Sequence, residues 1–272
     1  YITYDSKYME SVWWLLAQLY NKGLIYKGYT IQPYSPKAGT GLSSHEINQP
    51  GCYRDVKDTT VVAQFRVKDG EKTPFDNIVN IHFLAWTTTP WTLPSNTALC
   101  VGPKIEYVLV KSFNQYTFEP INVILAKNLV GYQFGKGFKA VENETELATY
   151  NQGDKVIPYF VAGECVGADL VGIKYEQLLP FVLPAETPEE AFRVISGDFV
   201  TTSDGTGIVH IAPTFGADDA RVAADAGVPG MLVNDGKGNL VPLVDLQGKF
   251  RPEVGPFAGM YVKNEYLSLI HI

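Results

Sequence analysis

Two stretches of this sequence carry residue types that could do chemistry together. The first is Trp86-Thr87-Thr88-Thr89-Pro90-Trp91-Thr92-Leu93-Pro94-Ser95-Asn96. Its four threonines each offer a hydroxyl donor, two acceptor lone pairs and a methyl group. Pro90 and Pro94 fix φ and give no N–H to a ladder, so the chain must leave its strand here. A stiff, hydroxyl-lined loop is expected, suited to a ribose, a carbonyl and a water. The same hydroxyls could equally do no more than cap turns. The second stretch is Ser203-Asp204-Gly205-Thr206-Gly207-Ile208-Val209-His210-Ile211-Ala212-Pro213, continuing Thr214-Phe215-Gly216-Ala217-Asp218-Asp219. A glycine turn feeds a short apolar strand, and a loop after Pro213 leads into a helix over 217–226. A helix start favours a carboxylate, so one of Asp218 and Asp219 is expected to serve the helix alone. The other could point into a pocket and take an ammonium group by a charge-assisted hydrogen bond. His210 lies in an apolar strand, where a histidine is most often a satisfied core residue. Asp204-Gly205-Thr206-Gly207 matches an aspartic-protease Asp-Thr-Gly only loosely and has no second copy, so it is set aside.

The rest of the chain must hold these stretches in place. A helix is expected over about 5–23, with Asp5 and Ser6 as caps and Gly23 as its end. Val12, Leu15, Leu16 and Leu19 recur at helical spacing, and Trp13 and Trp14 widen that stripe, which predicts core packing for both tryptophans. Gly28 to Glu46 reads as extended chain and loop, and Asn48-Gln49-Pro50-Gly51 as a turn and domain boundary. Beyond it strands are expected at 59–67, 79–86, 107–112, 121–126, 155–161 and 207–211, with short helices at 127–133, 187–193 and 217–226. Asn234 to Asn239 reads as a hairpin turn. The fold class is therefore mainly β with peripheral helices (α+β), a closed or nearly closed barrel.

Composition bounds the function. The 272 residues are 46% hydrophobic and 12% aromatic, enough for a true core without metal or disulfide staples. A net charge of −7 argues against a general nucleic-acid coat, though not against local recognition of an RNA end. Cys52, Cys100 and Cys165 are odd in number and far apart, so neither a disulfide framework nor a zinc knuckle is expected, and a reducing, cytoplasmic setting fits. No apolar run is long enough to suggest a membrane span. The chain opens on Tyr1, not Met, which suggests a piece of something longer.

Together the two stretches resemble the isoleucyl-tRNA synthetases, specifically the editing domain inserted into their class I catalytic domain. The family pattern Trp-Thr-Thr-Thr-Pro-Trp-Thr-Leu-Pro-x-Asn is present, followed by Gly-Thr-Gly-x-Val-His-x-Ala-Pro-x-x-Gly-x-Asp-Asp. Thr89 and Trp91 favour the isoleucyl branch over its valyl and leucyl relatives, which typically carry Arg and an acidic residue there. The resemblance implies a distorted closed β-barrel of the valyl/isoleucyl/leucyl synthetase type at 49–272, preceded by a catalytic-domain fragment at 1–48. Asp219, nine positions after His210, would hold the substrate α-ammonium, and Asp219, Thr88 and Thr89 would be the catalytic set. Thr87 would join the pocket floor, Trp91 would contact substrate, and Asn96 would support the site or touch the substrate. His210 would limit the size of the side chain admitted. Phe215 stands where many members have His. The implied partners are the 3′ end of tRNA(Ile) mischarged with valine and the rest of the synthetase, in a monomer. No metal or cofactor is implied for the editing domain; ATP and Mg would serve the full-length synthetase. The family's His-Ile-Gly-His and Lys-Met-Ser-Lys-Ser signatures are absent, and Leu269-Ile270-His271-Ile272 is no substitute, so this chain is not expected to activate an amino acid. The rival readings are a free-standing deacylase, a degenerate domain that binds the tRNA end without hydrolysis, and an unrelated ligand-binding module.

Overall fold

The computed structural model describes residues 2–26, 30–53, 55, 57–75 and 77–263; Gly28 and Leu269 to Ile272 lie outside them. The chain divides into two compact units, residues 1–31 and 32–272. The first is built on helix α1 (Ser6–Asn21), capped where expected by the Asp5 side chain, which accepts the Lys7 N–H at 2.9 Å. The expected core role of its tryptophans is not met. The helix has no buried residue, and Trp13 and Trp14 are 70% and 62% exposed. An amphipathic stripe reports that a face needs covering but not that the cover is present. A single helix has no second layer of its own.

The second unit opens with a short hairpin, β1 (Tyr34–Ser35) and β2 (Thr40–Gly41), and the turn helix α2 (Ser44–Ile47). Six strands then form one mixed sheet: β3 (Val61–Arg66), β4 (Ile81–Thr87), β6 (Glu106–Phe113), β7 (Pro120–Ala126), β8 (Phe138–Ala140) and β9 (Ile157–Val166). Their order is β3-β4-β7-β6-β9-β8, with β4–β7 and β8–β9 parallel. The middle strands read as near-continuous apolar runs because both faces are covered. Leu109 and Ile124 join Phe65 and Phe83 in the main core, whereas Val108, Val110, Val123 and Leu125 pack under Val130 and Phe134 around helix α3 (Val130–Gln133).

A separate three-stranded sheet, β10-β5-β11, is built from β5 (Ala98–Val101), β10 (Arg193–Ser196) and β11 (Ile208–Ile211). Helix α4 (Ala217–Asp225) packs on it through Val222 and Ala223 against Ala98, Cys100 and Ile211. The last strands, β12 (Leu232–Asn234) and β13 (Leu240–Pro242), form the hairpin expected around 234–239. The architecture is thus sheet-rich α+β. Several elements differ from expectation. The fully buried β5, the short strand β8 and the turn helix α2 were not expected. The helix expected at 187–193 is only a 3₁₀ turn at Pro188–Glu190, after which the chain becomes strand β10. There Phe192 gives its N–H to the Thr97 carbonyl at 2.7 Å, and Arg193 pairs with Ala98, so a free edge of β5 overrides local propensity.

The Gly205–Gly207 turn that launches β11 is pinned from below. Both glycines have φ near +70°, and a Cβ on Gly207 would lie 2.4 Å from that of Ala126. The fully buried Tyr107 hydroxyl donates to the Gly207 carbonyl at 2.6 Å and accepts the Gly102 N–H at 3.0 Å. Tyr107→Phe would strand both buried backbone groups. The expected loss is about 2 kcal/mol of stability, read as a lower urea midpoint at unchanged slope.

Candidate functional site

The two motif stretches meet because of one pairing. β4 ends at Thr87, and the chain leaves the sheet through Thr88 and Thr89 into the 3₁₀ turn Pro90–Ser95, then enters β5. β5 pairs antiparallel with β11 so that Ala98 faces Ile211 and Leu99 faces His210. The Thr97 N–H extends the ladder to the Ile211 carbonyl at 3.0 Å. The exit of β4 and the whole of β11 are thereby held side by side.

Between them lies a cavity of about 420 Å³. Six residues expected from the sequence line it: Thr87, Thr88, Thr89, Trp91, His210 and Asp219. Asn96 does not. It is 3% exposed, behind His210, with its Nδ2 3.0 Å from the ring Nδ1, so of its two expected roles its position fits support. Phe215 also lines the cavity, its ring edge-on to Trp91 with centroids 5.1 Å apart. The hydroxyls form a connected cluster. Thr87 Oγ1 accepts the Thr89 N–H at 3.1 Å and is 3.3 Å from Thr89 Oγ1, which is 3.4 Å from Thr92 Oγ1. Thr92, given no role from the sequence, is 2.9 Å from His210 Nε2. Trp86, Phe199 and Thr201 also line the cavity; Trp86 is inside the first motif, but the other two lie in a loop without a pattern to mark them.

Of the three titratable side chains in the lining, Asp204, His210 and Asp219, the last two differ in their surroundings. His210 is 7% exposed, and burial pushes its pKa down to about 4, so the ring is neutral at ordinary pH. Asp219 is partly exposed at the third position of α4 and does not cap it; its carboxylate turns back to accept the Ala212 N–H at 2.8 Å. Burial raises its pKa above the usual aspartate value, Asp218 adds to the rise, and the Ala212 N–H opposes it. Asp218 is exposed and points to Arg221, 3.5 Å away. One carboxylate of the pair lies in the cavity; the other makes a surface pair with Arg221, and the helix-capping role expected for it is not seen, since α4 has no side-chain cap. Among the described residues no group of three or more His, Cys, Asp or Glu side chains is arranged to hold a metal ion. Among the same residues no helix is long and apolar enough to cross a membrane. An arrangement of hydroxyls, a carboxylate and a neutral, buried imidazole around one cavity can bind an ammonium and a sugar together.

Residues 1–223 match the family model for class I tRNA synthetases (I, L, M and V). Curated relatives named isoleucine–tRNA ligase include those of Bacteroides fragilis and Cytophaga hutchinsonii, each 60% identical over 98% of this chain. That of Clostridium tetani is 45% identical over 99%. The matched part is 24%, 23% and 21% of those proteins, so the chain spans less than a quarter of each. Among solved structures, GlLeuRS-CP1 is 18% identical with a TM-score of 0.46, covering 77% of this chain and 93% of that one. The P. knowlesi cytosolic leucyl-tRNA synthetase editing domain is 14% identical at a TM-score of 0.44, covering 61% and 62%. Both likenesses are too remote to assign a role to any residue. On the family match over most of its length, the chain belongs to the class I tRNA synthetases of the isoleucine, leucine, methionine and valine group.

Proposed function

We propose that this chain carries the editing site of an isoleucyl-tRNA synthetase and hydrolyses the ester between a wrongly attached valine and the terminal ribose of tRNA(Ile). The observation that carries the reading is the meeting of Asp219, His210 and the Thr87–Thr89 hydroxyls around one cavity. The chemical problem is discrimination by one methylene. An apolar pocket gains only about 1–3 kcal/mol from it; isoleucine against valine is itself the reference case for that figure, which is not a quantity obtained from this chain. A second, smaller pocket that destroys the wrong product solves the problem, because valine enters and isoleucine is too large.

In this reading Asp219 holds the α-ammonium through the oxygen not engaged by Ala212. The threonine hydroxyls hold the ribose, and with nearby backbone N–H groups they stabilise the developing oxyanion while a water attacks the carbonyl. An aminoacyl ester is already activated, so no Ser or Cys nucleophile is required. The substrate's own vicinal hydroxyl assists proton transfer. His210 bounds the side-chain space. We further propose that residues 49–272 form the editing domain as a distorted barrel, with β11 passing beside β4 to bring the two larger sheets together, and that 1–48 belong to the catalytic domain. ATP, magnesium and most of the tRNA contacts belong to the rest of a monomeric, cytoplasmic synthetase.

Calorimetric titration with non-hydrolysable valyl- and isoleucyl-adenosine analogues tests the pocket. Binding of the valyl analogue with weak or no binding of the isoleucyl one supports the reading, and equal affinities contradict it. Gly216→Ala gives a companion prediction. Its new Cβ would lie 2.7–3.0 Å from the Asp219 carboxylate, at an extended backbone position that tolerates alanine. The carboxylate must swing away with its charge intact. The valyl analogue should therefore bind up to about tenfold more weakly, since only part of a charged hydrogen bond is lost.

A further inference from the structure

His210 is chemically able to move a proton, but its hydrogen bonds assign that proton elsewhere. The direction of the whole set follows from one atom that can only accept. The Ala98 carbonyl is 2.7 Å from Asn96 Nδ2, so the amide nitrogen, not its oxygen, faces it. Asn96 Oδ1 then accepts from the Tyr175 hydroxyl at 2.6 Å. The second N–H of the amide reaches His210 Nδ1 at 3.0 Å, with a weaker share to the Ile211 carbonyl at 3.4 Å. Nδ1 is therefore an acceptor and carries no proton. A neutral ring with a bare Nδ1 has its proton on Nε2, which donates to Thr92 Oγ1 at 2.9 Å. The Thr92 hydroxyl donates in turn to the Thr89 carbonyl at 2.8 Å. Every donor in the series has an acceptor, and each bond fixes the next.

We infer that Asn96 is a positioning residue that holds His210 as the Nε2–H tautomer, with the Ala98 carbonyl and Tyr175 fixing Asn96. The ring's one lone pair then faces Asn96, which does not line the cavity, and cannot take a proton from a water within it. Tyr175 is fully buried and packs edge-on against Phe65 at 5.4 Å, so this anchor is rigid. An imidazolium would aim a second N–H at the amide N–H₂, so the arrangement disfavours the charged ring, as does the burial that lowers its pKa. The consequence for catalysis rests on the editing reading: His210 excludes bulk and does not activate water.

The test is the nitrogen spectrum of the imidazole in the chain labelled with ¹⁵N-histidine. Four histidines are present, and the His210 signals are assigned by their loss in His210→Ala. One neutral tautomer protonated at Nε2 is expected at neutral pH. A ring protonated at Nδ1, or an imidazolium, would overturn the inference. At a pH where its carboxyl is ionised, Asn96→Asp has no hydrogen to give, so Nδ1 takes the proton, and the spectrum should switch to the Nδ1–H tautomer or the imidazolium. Retention of the Nε2–H pattern in that variant would also overturn it. If the variant does not fold, the wild-type spectrum decides alone. A tautomer found as expected in a protein without ester hydrolysis would count against the editing reading and leave this inference standing.

Discussion

Asp219→Ala should weaken binding of a valyl-adenosine analogue by about 10–150-fold, the equivalent of ~1.5–3 kcal/mol for a charged hydrogen bond to ammonium. Asp218→Ala, one residue away, should change affinity at neutral pH by less than about twofold, because an exposed pair such as that with Arg221 contributes little. The contrast depends on orientation, since Asp219 is turned into the loop at Ala212 and Asp218 faces solvent. On the proposed reading the ionised form of Asp219 binds the ammonium, so affinity should fall as pH drops through its pKa. That pKa is raised by burial and by Asp218, so the loss should begin above the pH at which an ordinary aspartate titrates. Removing Asp218 removes one cause of the rise, and the acid limb should move to lower pH in Asp218→Ala. Calorimetric titrations across pH on the three proteins measure both effects. Equal binding by the two variants would show that the wrong carboxylate has been assigned.

His210→Ala, made in the full-length synthetase, should open the pocket and begin hydrolysis of correctly charged isoleucyl-tRNA(Ile). The expected gain is about 10–200-fold over the wild-type rate, the range that one methylene is worth in an apolar pocket. Hydrolysis of the valyl ester should persist. A histidine acting as general base predicts the reverse, a fall of ~10²–10⁴-fold for valine with no new activity toward isoleucine. The ring's burial and its two neutral partners, Thr92 and Asn96, favour the first outcome. The variant will also be less stable, since it leaves a cavity and unpairs both partners. Rates are therefore to be compared at a temperature where both proteins remain folded.

Most of the candidate site is legible in the sequence because its residues fall in two dense local patterns. Prolines forced the chain off β4 at the threonines, and the glycine turn with its apolar run announced β11. What joins the patterns was not legible. β5 is four apolar residues that could belong to any buried element, yet its pairing with β11 sets His210 against the threonine loop. Tyr175 lies in an unremarkable segment, and only the folded chain brings it to Asn96. The residues alone left the division between Asp218 and Asp219 open; the family resemblance singled out Asp219, whose carboxylate turns back from its helix to the Ala212 N–H. Trp13 and Trp14 show the opposite failure, a clear periodic signal for packing on a helix with no buried residue.

The most direct test of the editing reading is the release of valine from valyl-tRNA(Ile) by the full-length synthetase containing this segment, beside release of isoleucine from isoleucyl-tRNA(Ile). Rapid hydrolysis of the valyl ester, a far slower reaction with the isoleucyl ester, and loss of the first activity in Asp219→Ala are the results predicted. Equal rates on the two esters, or valine release that survives Asp219→Ala undiminished, would contradict it.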